Sequence, residues 1–200
     1  MIKNVIFDFG DVFINLDKEL FYKKMLQLNI APYSNETIKF YQQYEKGMMK
    51  TEDFTTIFTQ KFQIKKEDLV TAWNSILLDF PKHRLIFLKE LFESKKYRLF
   101  LLSNTNDLHI TWIKENWGIA IYNEFKNYFE QFYLSFEINL RKPDVEIYNF
   151  VLEKNNLKPS ETVFVDDLSE NTETAKKIGI KTWNLNPHKE DVVEFVNKNF

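Results

Sequence analysis

The chain contains no cysteine. Disulfides, thiolate metal sites and a cysteine nucleophile are therefore excluded, and nothing marks an oxidising compartment. It has no basic surplus either: 27 Lys plus Arg stand against 29 Asp plus Glu, a formal charge of -2. That balance supplies no electrostatic footprint for a polyanion, so nucleic acid is not an expected partner. No stretch approaches the roughly 20 uncharged apolar residues of a membrane span. The opening residues carry Asp8 and lack an apolar core with a small-residue cleavage site, so they do not read as a secretory signal. No membrane is expected as a partner, and a cytoplasmic location is the default expectation. With only 4 Gly and 5 Pro there is no flexible linker or low-complexity tract. What is abundant is apolar volume: 44% hydrophobic residues, including 20 Phe and 9 Tyr, among 200. That suits one large packed domain, or a body carrying a small insert.

Val5-Ile6-Phe7 is a short apolar run halted by Asp8-Phe9-Gly10-Asp11, the pattern of a strand buried on both faces. Arg98–Leu102 ends at Ser103-Asn104, Thr162–Val165 ends at Asp166-Asp167, and Lys181–Leu185 reads as a weaker fourth strand. Helical periodicity covers about 84–96, 107–117, 143–156 and 169–178. Pro143 suits a first turn, Ser169 a cap and Gly179 a stop. Alternation of strand and helix predicts an α/β fold, a Rossmann-like parallel sheet core with right-handed crossovers.

Between the first strand and residue 84 no strand pattern appears. Four amphipathic patterns stand there: Phe21, Met25 and Leu28; Ile38, Tyr41 and Tyr44; Phe54, Ile57, Phe58 and Phe62; Leu69, Trp73 and Leu77. A structureless loop of that length is unusual in a compact domain. The expectation is a catalytic core of residues 1–14 and 84–200, with an inserted α-helical cap subdomain at 15–83.

Ligands of open α/β sheets bind beyond the carboxyl ends of the strands. Asp8 with Asp11, Ser103 with Asn104, and Asp166 with Asp167 should converge there, and Arg141-Lys142-Pro143 offers a cation from a nearby loop. Crowded carboxylates need a neutralising cation, and an all-oxygen ligand set favours a hard divalent ion such as Mg²⁺. A carboxylate nucleophile, a hydroxyl, an amide, a lysine and Mg²⁺ together describe phosphoryl chemistry.

This order of motifs, over essentially the whole chain, resembles the haloacid dehalogenase-like hydrolase superfamily. Asp8 matches its nucleophile motif, Ser103 in Leu101-Leu102-Ser103-Asn104-Thr105 the second, Lys142-Pro143 the third, and Asp166-Asp167 with Asn171 the fourth. The insert resembles the family's first-type (C1) cap, and Glu45-Lys46-Gly47 followed by Thr51 and Phe54 resembles a segment common in such caps. The nearest subgroup by this pattern is similar to the bacterial α-glucose-1-phosphate phosphatases, whose first motif also has Gly two residues after the nucleophile. The resemblance implies a Mg²⁺-dependent phosphatase acting on a small phosphorylated metabolite, a sugar phosphate favoured, through an aspartyl-phosphate on Asp8. It implies metal ligation by Asp8, the Gly10 carbonyl, Asp166 and Asp167. Phosphoryl binding would fall to Lys142, Ser103 and the Asn104 backbone amide, with Asn171 orienting the metal loop.

One departure bears on mechanism. Many family phosphatases carry an acid/base Asp where this chain has Gly10; Asp11 is the candidate replacement, and without one the rate would drop by about 10² to 10⁴. Alternatives are a 2-haloacid dehalogenase, which the acidic pair Asp166-Asp167 argues against, and a catalytically weak relative that binds a phospho-ligand. Phe13, Glu45 and Met48 are expected at the mouth of the site, and His83, His109 and His188 in surface or capping roles. The sequence leaves the oligomeric state open.

Overall fold

The computed structural model describes residues 1–200. Its centre is a five-stranded, fully parallel sheet in the order β3-β2-β1-β4-β5. The strands are β1 (Asn4–Phe7), β2 (Arg98–Ser103), β3 (Gln131–Leu134), β4 (Thr162–Asp166) and β5 (Lys181–Asn184). The apolar runs alternate between two layers, as the two-residue period of a strand requires. Val5, Phe7, Leu99, Leu101, Val163 and Val165 enter a cluster of 24 buried residues on one face, while Ile6, Phe100, Leu102 and Phe164 enter a cluster of 11 on the other. Both faces are covered, so the runs are apolar throughout. In register, Phe7 lies level with Leu101 and with Val165, so the three polar strand ends emerge at one edge.

Four helices follow β1: α1 (Lys18–Gln27), α2 (Asn35–Glu45), α3 (Thr51–Phe62) and α4 (Lys66–Asn74). The Asp17 side chain caps α1 by accepting from the Leu20 N–H, and Ser34 caps α2 by accepting from Thr37. Phe21, Met25, Tyr44, Phe54, Phe58, Leu69 and Trp73 form a third buried cluster, separate from the other two. The Tyr44 and Phe54 rings stack at 4.4 Å, and Trp73 lies 4.8 Å from both Phe54 and Tyr41. The chain leaves and re-enters the sheet through two adjacent segments. These pair antiparallel: Asn15 and Asp17 donate backbone hydrogen bonds to Asp79 and Ile76, and Leu78 donates to Asn15.

The remaining helices are α5 (Lys82–Glu93), α6 (Asp107–Trp117), α7 (Ile119–Asn127), the single-turn α8 (Ser135–Ile138), α9 (Val145–Lys154) and α10 (Ser169–Lys177). The structure corrects several sequence expectations. Leu77 lies beyond α4 and packs into the sheet cluster. Pro143 precedes α9 rather than opening it, and Ser169 is the first helical residue of α10, which has no side-chain cap. Strand β3 and helices α7 and α8 lie where the sequence pattern predicts no element.

Candidate active site

Asp8 follows β1 directly, its N–H donating to the Val165 carbonyl at 2.8 Å, which holds it beside the end of β4. Lys142 comes from the loop between α8 and α9 and is 1% exposed. Its Nζ lies 2.6 Å from Asp8 Oδ1 and 2.7 Å from Asp166 Oδ2. A charge so buried survives only when paired, and Lys142 is paired twice. Asp166, 0% exposed, is fixed further: its carboxylate accepts from Asn171 Nδ2 at 2.9 and 3.0 Å and from the Leu168 N–H at 2.9 Å. Asn104 positions the lysine by a two-way clamp, donating from Nδ2 to the Lys142 carbonyl (2.8 Å) and accepting the Lys142 N–H at Oδ1 (2.9 Å).

Burial pushes the Asp8 carboxyl up to about 8; Lys142 opposes the shift, and Asp166 and Asp167 add to it. Burial acts against the Lys142 ammonium, but Asp166 and Asp8 outweigh it and hold the group above the ordinary lysine range. Burial also raises Asp167, with partial relief from Lys18. A site that resists ionisation in this way is relieved by a bound cation.

The residues present fit a divalent ion. Carboxylate oxygens of Asp8, Asp166 and Asp167 come within 4.8 Å of one another, an all-oxygen donor set suited to a hard cation. Asn171 Oδ1 beside them is buried and lacks a hydrogen-bond partner. These groups edge a cavity of about 240 Å³ whose lining includes Asp8, Gly10, Ser103, Asn104, Lys142 and Asp167. The side of the cavity formed by α1 and α2 carries Lys18 and Glu45.

The proposed replacement for the missing acid/base does not reach the cavity. Asp11 is absent from the lining, and its two oxygens are engaged, one by the Leu16 N–H at 3.0 Å and one by Lys18 at 2.7 Å. A side chain at Gly10 would meet Leu16 Cδ1 at 2.9 Å, so Leu16 fills the space in front of it. Phe13 is fully buried in the sheet cluster, its ring 5.3 Å from Phe7 and 5.1 Å from Phe125, and Met48 is 71% exposed outside the lining. Neither stands at the mouth. Glu45 does, paired at 3.0 Å with Arg141, which also lines the cavity.

Two titratable lining residues, Lys18 and His109, were not expected at the site. Lys18 belongs to a common residue type, and only the fold brings it here. His109 is half-buried: its ring stacks on Trp73 at 5.4 Å, with Nε2 facing the Trp73 carbonyl and Nδ1 facing Asn106 Nδ2. Burial lowers its pKa to about 4, only partly offset by that carbonyl.

The fold, the strand-end acids and the doubly paired lysine suit a hydrolase built around an acidic, cation-binding floor. Residues 5–185 match the haloacid dehalogenase-like hydrolases, and the chain belongs to that family. It is 28% identical over 190 residues, 92% of its own length and 91% of the relative's, to a D-ribitol-5-phosphate phosphatase of Bacteroides thetaiotaomicron. A haloacid dehalogenase family enzyme from the same organism, solved as a magnesium complex, superposes with a TM-score of 0.87 at 33% identity, covering 98% of this chain and 99% of the other. The wild-type form of that enzyme, solved with magnesium and inorganic phosphate, gives a TM-score of 0.80 at 32% identity over 95% and 97% of the two chains.

Proposed function

We propose that this protein is a Mg²⁺-dependent phosphatase for a small phosphorylated metabolite, a sugar or polyol phosphate, with Asp8 as the nucleophile. The observation that carries the reading is the Asp8–Lys142–Asp166 chain of contacts at 2.6 and 2.7 Å beside Asp167. The lysine holds the attacking carboxylate on the cavity floor, and the acidic pair supplies the charge that a divalent ion requires. The magnesium and phosphate complexes of the similar enzyme support it.

Asp8 attacks phosphorus as the bond to the substrate's alcohol oxygen breaks, forming an aspartyl-phosphate; water then adds at phosphorus, regenerating the carboxylate and releasing inorganic phosphate. Asp8, Asp166, Asp167 and the Gly10 carbonyl are the residues that would hold Mg²⁺. When bound, the ion supplies the positive charge that lets two anions meet. Lys142, Ser103 and the Asn104 backbone amide steady the transferring oxygens. With Leu16 in front of Gly10, the leaving oxygen has no carboxylic acid to protonate it at that position, so good leaving groups should react disproportionately fast.

In this reading helices α1 to α4 (Lys18–Asn74), within the expected insert of 15–83, act as a cap that excludes water from the floor. The small cavity admits a compact substrate, and the Glu45–Arg141 pair at its cap side offers both acceptor and donor to hydroxyls. The ribitol-phosphate relative points to an acyclic polyol phosphate at least as strongly as to the cyclic sugar phosphate of the subgroup resemblance. With no helix long and apolar enough to cross a membrane, a cytoplasmic metabolite pool fits the reading.

The test is phosphate release from an aryl phosphate and a panel of pentitol, pentose and hexose phosphates, with Mg²⁺ and with EDTA. Metal-dependent release is expected, falling by about 10⁴ or more in Asp8→Asn, with far-UV circular dichroism unchanged. Release that persists in the variant or in EDTA would sink it.

A further inference from the structure

Lys18 is the first residue of α1, the helix that opens the cap. Its Nζ lies 2.7 Å from Asp11 Oδ2 and 3.0 Å from Asp167 Oδ2, joining the cap to two carboxylates of the core. The two partners are largely shielded, with side chains 12% and 7% exposed, whereas Lys18 itself is 49% exposed. The site thus has two lysines of different kinds. Lys142 is sealed between Asp8 and Asp166 and cannot leave. Lys18 is half in water on a flexible stem, with a second carboxylate to fall back on.

Formal charge shows what such a lysine is for. Asp8, Asp11, Asp166 and Asp167 carry four negative charges when ionised, and Lys18 and Lys142 return two. The deficit is two, the charge of one divalent ion. The Asp167 oxygen that Lys18 holds belongs to the carboxylate expected to ligate that ion. An ammonium and a dication on one carboxylate repel each other strongly in a half-buried site, so the two occupants are mutually exclusive or nearly so.

Resting on the metal reading above, we infer that Lys18 is a resident counter-charge that competes with Mg²⁺ for Asp167 and retreats to Asp11 when the ion binds. Lys18 is then a positioning residue. It keeps the acidic pair from repelling itself apart in the metal-free protein and holds the start of the cap against the core. Metal loading removes the Asp167 half of that contact and leaves the Asp11 half, so the ion's arrival and the strength of the cap's seating are linked by a single side chain, and the linkage works in both directions.

The experiment is calorimetric titration of Mg²⁺ into the wild type, Lys18→Gln and Lys18→Arg, alongside melting curves with and without the ion. Removing the competitor should tighten Mg²⁺ binding by about threefold or more, the scale of a half-exposed ion pair. It should also lower the melting temperature of the metal-free protein by more than that of the loaded protein, in which Lys18 keeps Asp11 alone. Lys18→Arg should stay near the wild type in both. Asp11→Asn is the opposing variant: with its alternative partner gone, Lys18 stays on Asp167, so Mg²⁺ binds more weakly, and this loss should shrink in the Lys18→Gln background. Unchanged or weaker Mg²⁺ binding in Lys18→Gln would overturn the inference while leaving the metal site standing. Absence of Mg²⁺ uptake by every one of these proteins would remove the metal reading itself and the inference with it.

Discussion

The floor of the cavity and its seam with the cap handle charge in opposite ways. On the floor, Lys142 and Asp166 are 1% and 0% exposed and the lysine is locked by two carboxylates. At the seam, charges meet in half-open pairs. Glu45 and Arg141 are 23% and 18% exposed, and Lys46 reaches Asp144 at 2.7 Å from a side chain 29% exposed. Buried pairs tolerate almost no change because a lone partner is left uncompensated, whereas exposed pairs contribute little each and tolerate substitution. The floor is therefore built for one fixed arrangement, and the seam for contacts that tolerate change. What anchors the seam is backbone shape. Gly47 sits at φ +66° with the Phe136 carbonyl 2.1 Å from where a Cβ would be, and Asn139 Nδ2 donates to the Lys46 carbonyl at 2.8 Å.

The largest effect should come from the floor. Lys142→Met leaves two buried carboxylates unpaired, a loss of about 3–5 kcal/mol in folding stability, readable as a lower urea midpoint. Turnover of aryl and polyol phosphates should fall together, by about 10² to 10³ or more, because the lost group served the phosphoryl centre that both share. A variant as stable as the wild type would show that the floor is not electrostatically locked.

Gly47→Ala should have an intermediate effect of a different kind. The added methyl must displace a backbone carbonyl, and the left-handed conformation opposes any side chain, together costing about 1–3 kcal/mol. The cap should seat poorly, raising KM for polyol phosphates while kcat for an aryl phosphate changes little. Equal loss of kcat on both substrates would erase the distinction between floor and seam.

The sequence made the floor legible and the seam only partly so. Strands β1, β2 and β4 lie in the middle of the sheet, and burial on both faces forces them to be uniformly apolar, which is why their polar ends stood out. Strand β3 lies at the edge, with Gln131 exposed and Phe132 and Tyr133 half-buried, so its four residues carry neither a continuous apolar run nor clean alternation. Helix α7 starts from Gly118 without a side-chain cap, so no start signal marked it. Asp8, Lys142 and Asp167 were recognisable because their chemistry is tied to strand ends and to one another. Lys18 and His109 were not: they approach the cavity from α1 and α6, and their spacing from the motifs carries no period. Phe13 looked like a mouth residue because it follows Asp8 closely, yet the chain turns it into the sheet cluster before entering the cap.

His109 tests the wall between floor and seam with the smallest expected effect. Its ring nitrogens face the Trp73 carbonyl and the Asn106 amide, which suits the neutral ring with its proton on Nε2. The folded protein holds this imidazole at a pKa of about 4, against roughly 6.5 in an unfolded chain. Between those values the unfolded chain takes up a proton that the folded chain refuses, so the stability present above pH 6.5 is lost as the pH falls toward 4. Buried acids with raised pKa, Asp8 and Glu45 among them, push the other way over part of this range. The informative quantity is thus the difference between the wild type and His109→Gln. On going from pH 7 to pH 5 the wild-type melting temperature should lose about 4–8 °C more than that of the variant, the shift that about two kcal/mol produces in a protein of this size. Parallel curves would mean that the ring is protonated in the folded state without penalty. The wall would then be wet, and the cap would not seal the floor from solvent.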